Sequence, residues 1–326
     1  MPRLRRAGTY LGLAAAAVLL VSACSASASG NGTTGKTSSS PNTSSSSSST
    51  PAAPTSSSSA PVVTKPVHVS LKLSDGAQVG VGMPIIAFFS RPITNAKAFA
   101  AATKVTVNDK PVIGAWYCEQ YTSKATPIEC DWRMETYWPA HAQIHMDLPV
   151  KGVSAGTGLA FDDDLTSSFS TGPANIVTVN AFTHKLTVVS DGVTWGSFPV
   201  SLGASSTRTR HGIKIIMEKL PTVCMHDTNH TYYECGIKDD QRLTYDGEYL
   251  HAAPWNTYNI DHGIDSSNGC TNLHPADALK LYGFLEIGDV VNYPNATGAH
   301  MAMGDGYGDW NVPWGQWQTG GLYAMS

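Results

Sequence analysis

Short runs alternating apolar and polar residues, frequent turn signals and a single helical pattern predict a mainly β chain. They suggest a β-sandwich followed by a second β-rich domain with one main helix. Val67, Val69, Leu71 and Leu73 alternate with His68, Ser70 and Lys72 before the turn Ser74-Asp75-Gly76, the period-two signature of a half-buried strand. Ile144 to Leu148 alternates likewise, Ile85 to Phe89 is a short apolar run, and Ser168-Phe169-Ser170 leads to the boundary Gly172-Pro173. Many short strands without a long helical pattern are what a sandwich needs. Trp116, Trp132 and Trp138 are expected in its core, since large aromatics fill small sandwiches.

Beyond Pro173, Ile176 to Val179 and Leu186 to Val189 read as strands, the turn Asp191-Gly192 follows, and a third strand runs toward Val200. Ile213 to Met217, Tyr249-Leu250 and Val290 to Tyr293 add further β segments. The helix is predicted to start at Pro275, since proline suits a first helical position, and to carry Ala278, Leu279, Leu281 and Tyr282 before Gly283. The tail Gly308-Asp-Trp-Asn-Val-Pro-Trp-Gly-Gln-Trp317 is dense in tryptophan. It is expected to fold back into a groove between the domains rather than to stack on sugars, because exposed tryptophans are costly.

The first 23 residues combine Arg3, Arg5 and Arg6 with an apolar run from Leu11 to Leu20 and end in Val21-Ser22-Ala23 before Cys24. This reads as a signal peptide closing on a lipobox, with Cys24 lipidated as a membrane anchor. The apolar run is short for a membrane-spanning helix, which needs about 20 residues. Residues 24–64 collapse to Ser, Thr, Pro, Ala and Gly, a flexible linker with an r.m.s. reach of about 35 Å. Removing the signal takes three arginines and shifts the formal charge from −4 to −7. The absence of a basic stripe argues against nucleic acid as a partner.

The six cysteines suit an exported protein. With Cys24 assigned to lipid, Cys118 and Cys130 are close enough in sequence to pair, as are Cys224 and Cys235, which leaves Cys270 as the reactive remainder. Sequence alone does not fix this connectivity. A zinc set of Cys224, His226, His230 and Cys235 is an alternative, although a Cys-x-His start chelates poorly. A thiol attacks as thiolate and needs a base or a positive field. His251, 19 residues upstream of Cys270, is the candidate base, with His262 and His274 as rivals by spacing. Amides near Gly269 and Cys270 are candidate oxyanion donors, and the start of the Pro275 helix a candidate source of field.

Together, His251-Ala-Ala-Pro-Trp255, Ser267-Asn-Gly-Cys270, Asn272 and the Trp-rich tail resemble the actinobacterial L,D-transpeptidases of the YkuD-type fold. Pro199-Val-Ser-Leu-Gly203 and Thr209-Arg-His-Gly212 extend the likeness over most of residues 174–317. The preceding sandwich resembles the bacterial immunoglobulin-like domain of these enzymes. The organisation this implies is a signal peptide (1–23), a linker (24–64), an immunoglobulin-like domain (65–173), a catalytic domain (174–295) and a C-terminal extension (296–326).

The resemblance implies acyl transfer on peptidoglycan stem peptides without a cofactor or metal. Cys270 would attack the third-position diaminopimelate carbonyl of a donor tetrapeptide and expel D-alanine. The diaminopimelate amine of a second stem would resolve the thioester into a 3→3 cross-link. His251 would serve as base and then acid, oriented by a carbonyl near Ala252. Tyr233, Asn272, Asn268 and Ser267 would contact substrate, Met225 would sit on a lid above the thiol, and carbapenems would acylate Cys270.

Three features depart from the family pattern. Asn268 stands where histidine is usual, Arg210 where proline is common, and Cys224 with Cys235 would stiffen the lid if paired. A non-catalytic wall-binding lipoprotein is the competing expectation. So is the same acyl-enzyme resolved by water or by a protein amine.

Overall fold

The computed structural model describes residues 64–119, 128–226 and 233–323. The lipidation expected at Cys24 and the zinc ligand expected at His230 lie outside them. The chain is mainly β, as expected, and its described strands fall into five sheets.

Before Pro173 the strands form three small sheets, of five, four and three strands. The alternating run at the start serves two of them. Lys65–Val67 pairs in parallel with Leu159–Phe161, whereas Val69–Leu71 pairs antiparallel with Ile85–Phe89. His68 is therefore a crossing point between sheets, and the single strand expected over 67–73 is two. Trp116, Trp132 and Trp138 lie in the core. Their polar ends are satisfied: Trp138 Nε1–H donates to the Met83 carbonyl at 2.6 Å, and Trp116 Nε1–H to Thr103 Oγ1 at 2.8 Å. Burying an aliphatic or phenylalanine side chain stabilises by about 1.5–3 kcal/mol, so Phe89, Phe99, Phe161 and Phe169, all in this core, are principal contributors.

The second half carries a five-stranded sheet centred on Asn175–Asn180 and a four-stranded sheet ending in Tyr249–Ala252 and Thr271–Leu273. Val177, Leu186, Ile216, Leu250, Leu273 and Leu281 belong to its core. The main helix is Pro275–Phe284. It runs one residue past Gly283, where an added Cβ would meet open space, so glycine there ends nothing. Two short helices had no legible periodicity, Ala96–Ala102 and Thr257–His262.

The halves join through close backbone contact. Gly80 N–H donates to the Ile287 carbonyl at 2.8 Å and Gly82 N–H to the Gly288 carbonyl at 2.9 Å. A Cβ on Gly80 would lie 2.2 Å from the Asp289 nitrogen, so only glycine permits this approach. The Trp-rich tail folds back, as expected, onto the sandwich. The Arg133 guanidinium lies 4.6 Å from the Trp310 ring, 5.4 Å from Trp314 and 4.2 Å from Trp317, a set of cation–π contacts. Arg133 Nη2 also donates to the Val312 carbonyl at 2.7 Å.

Under this clasp lie four carboxyl groups: Glu119, Glu129, Asp131 and Asp309. Burial and mutual repulsion push Glu129 up to about 8 and hold Asp131 well above the carboxylate range. Burial, with Asp309 repelling Glu119, raises Glu119 and Asp309 to about 7. These groups hold protons in the folded chain that they release when unfolded. Their contribution is therefore complete below the unfolded carboxylate range and is lost as pH rises toward the folded values. Melting temperature should fall between pH 5 and pH 8. In Glu129→Gln the decline should be shallower, by up to about 1.4 kcal/mol per pH unit, read from denaturant unfolding across that range.

Candidate active site

The site is built where two neighbouring strands run parallel. Leu250 pairs with Thr271, His251 with Asn272 and Ala252 with Leu273. Side chains alternate across a strand, so His251 and Asn272 share a face, and Cys270, two residues before Asn272, is directed to that face. His251, Cys270 and Asn272 line one cavity of about 420 Å³.

His251 is 4% exposed. Its Nδ1–H donates to the Ala252 carbonyl at 3.0 Å, which assigns the tautomer and leaves Nε2 as an acceptor. Burial lowers its pKa, against the opposing pull of the Ala252 carbonyl, so the ring is neutral near pH 7. Among the described cysteines Cys270 alone is free. Its Sγ–H donates to the Gly247 carbonyl at 3.5 Å, and the Tyr249 N–H donates to the sulfur. Burial pushes the thiol up to about 12, a shift moderated first by that Tyr249 hydrogen bond. A neutral thiol beside a neutral imidazole must move its proton as it attacks.

The loop before the cysteine is held by side chains. Thr207 Oγ1 donates to the Ser267 carbonyl at 2.7 Å, and Thr209 Oγ1 to the Gly269 carbonyl at 2.8 Å. Ser267 Oγ donates to the Cys270 carbonyl at 2.6 Å and accepts from Gly269 N–H at 3.1 Å. The Gly269 amide, an expected oxyanion donor, is therefore engaged with Ser267 in this state. Gly269 has φ +116°, a conformation that favours glycine. The Pro275 helix begins beyond the strand Thr271–Leu273.

Asn268, Ser267 and Met225 also line the cavity, as expected of substrate contacts, whereas Tyr233, exposed on the hairpin, does not. Asn272 Oδ1 is buried without a hydrogen-bond partner. The rivals of His251 stand apart: His274 pairs with Asp261 and His262 Nδ1 with the Tyr258 carbonyl, and neither lines the cavity. Residues not anticipated are Trp255 as a lining side chain, Glu234, Asn256 and Asn259. Trp255 belonged to the quoted motif; the others carried no signal.

Both local cysteine pairs are disulfides, Cys118–Cys130 and Cys224–Cys235. Each staples facing residues of an antiparallel hairpin. The second consumes both sulfur donors of the zinc alternative, which falls. Arg210, where proline is common in the resembling family, donates its backbone N–H to Glu248 Oε1 at 2.9 Å, a bond proline could not make.

Residues 174–292 match the L,D-transpeptidase catalytic domain family and residues 28–154 a bacterial Ig domain. Residues 174–292 form an L,D-transpeptidase catalytic domain. L,D-transpeptidase 2 from Mycobacterium tuberculosis is 31% identical over 271 residues, which is 80% of this chain and 64% of that protein. The chain thus matches under two thirds of the length of that relative. An L,D-transpeptidase solved in complex with imipenem aligns with a TM-score of 0.56 at 25% identity, over 69% of this chain and 97% of the other. L,D-transpeptidase 3 from M. tuberculosis, solved with a faropenem-derived adduct, aligns at 0.54 and 26%, over the same 69% and 97%.

In this L,D-transpeptidase catalytic domain, His251→Gln should slow iodoacetamide alkylation of Cys270 near neutral pH by about a hundredfold. The residual rate should keep climbing through pH 9 as the thiol ionises unaided, as a pH series of alkylation rates will show.

Proposed function

We propose that the protein is an L,D-transpeptidase that joins peptidoglycan stem peptides through a Cys270 thioester. The observation that carries this reading is the shared face of His251 and Cys270, with His251 Nδ1 tied to the Ala252 carbonyl so that Nε2 accepts the thiol proton. Cys270 Sγ attacks the carbonyl of the third-position diaminopimelate. The bond to D-alanine breaks as the departing amine takes the proton from His251. The side-chain amine of a second stem then attacks the thioester, passes its proton to His251 and forms the 3→3 amide. The unpartnered Asn272 Oδ1 supports an amide-bearing donor, since a buried acceptor without a partner is costly until one arrives. The amides at Gly269 and Cys270 are the proposed oxyanion donors, and Gly269 N–H would exchange Ser267 Oγ for substrate.

In this reading Tyr233, Met225, Asn268 and Ser267 contact the stem, with the Cys224–Cys235 hairpin as lid. Cys24 anchors the chain to the outer face of the membrane. Residues 24–64 form the tether, 65–173 the spacer, 174–295 the catalytic domain and 296–326 the extension. The two disulfides suit that exported location. The imipenem complex and faropenem adduct of the similar proteins support carbapenem-class β-lactams as inhibitors.

Incubation with purified disaccharide-tetrapeptide should yield a dimer lighter than two donors by one D-alanine, resolved by tandem mass spectrometry as a 3→3 link. Cys270→Ala should yield none. Loss of D-alanine without a dimer would assign water as acceptor, and no turnover by folded protein would favour a wall-binding lipoprotein.

A further inference from the structure

Beneath Cys270 lies a buried charge cluster that the reaction above does not use. Lys214 is fully buried in the strand Gly212–Ile215. Its Nζ donates to Glu248 Oε2 and stands 3.9 Å from the centre of the Tyr293 ring. Tyr293 in turn hydrogen-bonds Thr271 Oγ1 at 2.7 Å, one residue after the cysteine. The other Glu248 oxygen accepts the Arg210 backbone N–H at 2.9 Å and faces its guanidinium at 3.6 Å. Glu248 also lies against the cysteine loop, since Oε1 would be 3.6 Å from a Cβ placed on Gly269.

Glu248 sits between the two residues whose backbones hold the sulfur, the Gly247 carbonyl and the Tyr249 N–H. We propose that Lys214 is a positioning residue for the nucleophile: with Arg210 it clamps Glu248, fixes the Gly247–Tyr249 backbone around Cys270 Sγ, and sets a buried cation in the layer behind the thiol. This rests on Cys270 being the nucleophile. A buried ammonium is costly, and an apolar pair could fill the same space. Burial lowers the Lys214 pKa and Glu248 opposes that shift; at the sulfur Glu248 and Asp240 oppose the thiolate, and Lys214 favours it. Arg210 is further engaged by Asp246 at 2.6 Å and Asp305 at 3.5 Å. Asn268, the loop residue beside the cavity, is exposed and uncharged, so it supplies no positive charge from above.

The test is the pH profile of Cys270 alkylation by iodoacetamide on the intact protein, which needs no acyl-transfer substrate. Lys214→Met should raise the midpoint by about one unit and slow alkylation near neutral pH about tenfold. Glu248→Gln, which keeps the shape and removes the opposing charge, should lower the midpoint. Lys214→Arg should restore most of the rate. Opposite shifts from the two neutralising variants are the signature of charge acting on the thiol. Coincident midpoints in folded variants, including a slower rate at an unchanged midpoint, would overturn the proposal. Should Lys214→Met not fold, Glu248→Gln and the double variant Lys214→Met/Glu248→Gln carry the same test. Shifted midpoints without tetrapeptide turnover would leave this inference standing while the transpeptidase reading falls.

Discussion

The parallel pairing of Tyr249–Ala252 with Thr271–Leu273 is the constraint on which the site depends. A one-residue slip in register would turn His251 away from the face that carries Cys270 and Asn272. The register is secured on several sides. Ser201 and Asn272 exchange backbone hydrogen bonds at 3.2 and 2.9 Å, and Leu250 and Leu273 are fully buried in the core beneath. The threonines at 207 and 209 hold the loop that delivers the cysteine. The geometry of the site is a consequence of strand order and core packing.

The electrostatics follow from that burial. A thiol pushed up to about 12 is protonated at rest, and a histidine lowered by the same desolvation is neutral. Such a pair keeps thiolate scarce until the proton can move as the sulfur attacks. Lys214 and Glu248 lie in the layer below, oppositely charged and hydrogen-bonded, as a buried ion pair must be to remain charged. The sandwich half is built on a different logic. Burial raises the pKa of its carboxyl groups beneath the tryptophan clasp, while Arg133 is held by three aromatic faces and the Val312 carbonyl.

Much of this was legible in the sequence. Fold class followed from alternation and turn signals, and the helix start from Pro275. The likeness to the family rested on motifs at His251, Cys270 and the tail. What escaped has physical reasons. The division at His68 depends on which distant strand each half pairs with, which a local pattern does not encode. Lys214 stood out only as one charge among Ile213, Ile215 and Ile216, and its partner Glu248 is 34 residues away.

In the proposed mechanism a buried, neutral Cys270 becomes a nucleophile only through this arrangement. The most direct measurement is intact mass of the folded protein after incubation with a carbapenem, beside Cys270→Ala. The account predicts one adduct on the parent chain and none on the variant. Absence of an adduct on protein with a demonstrably free Cys270 thiol, or an adduct that survives in Cys270→Ala, would contradict it.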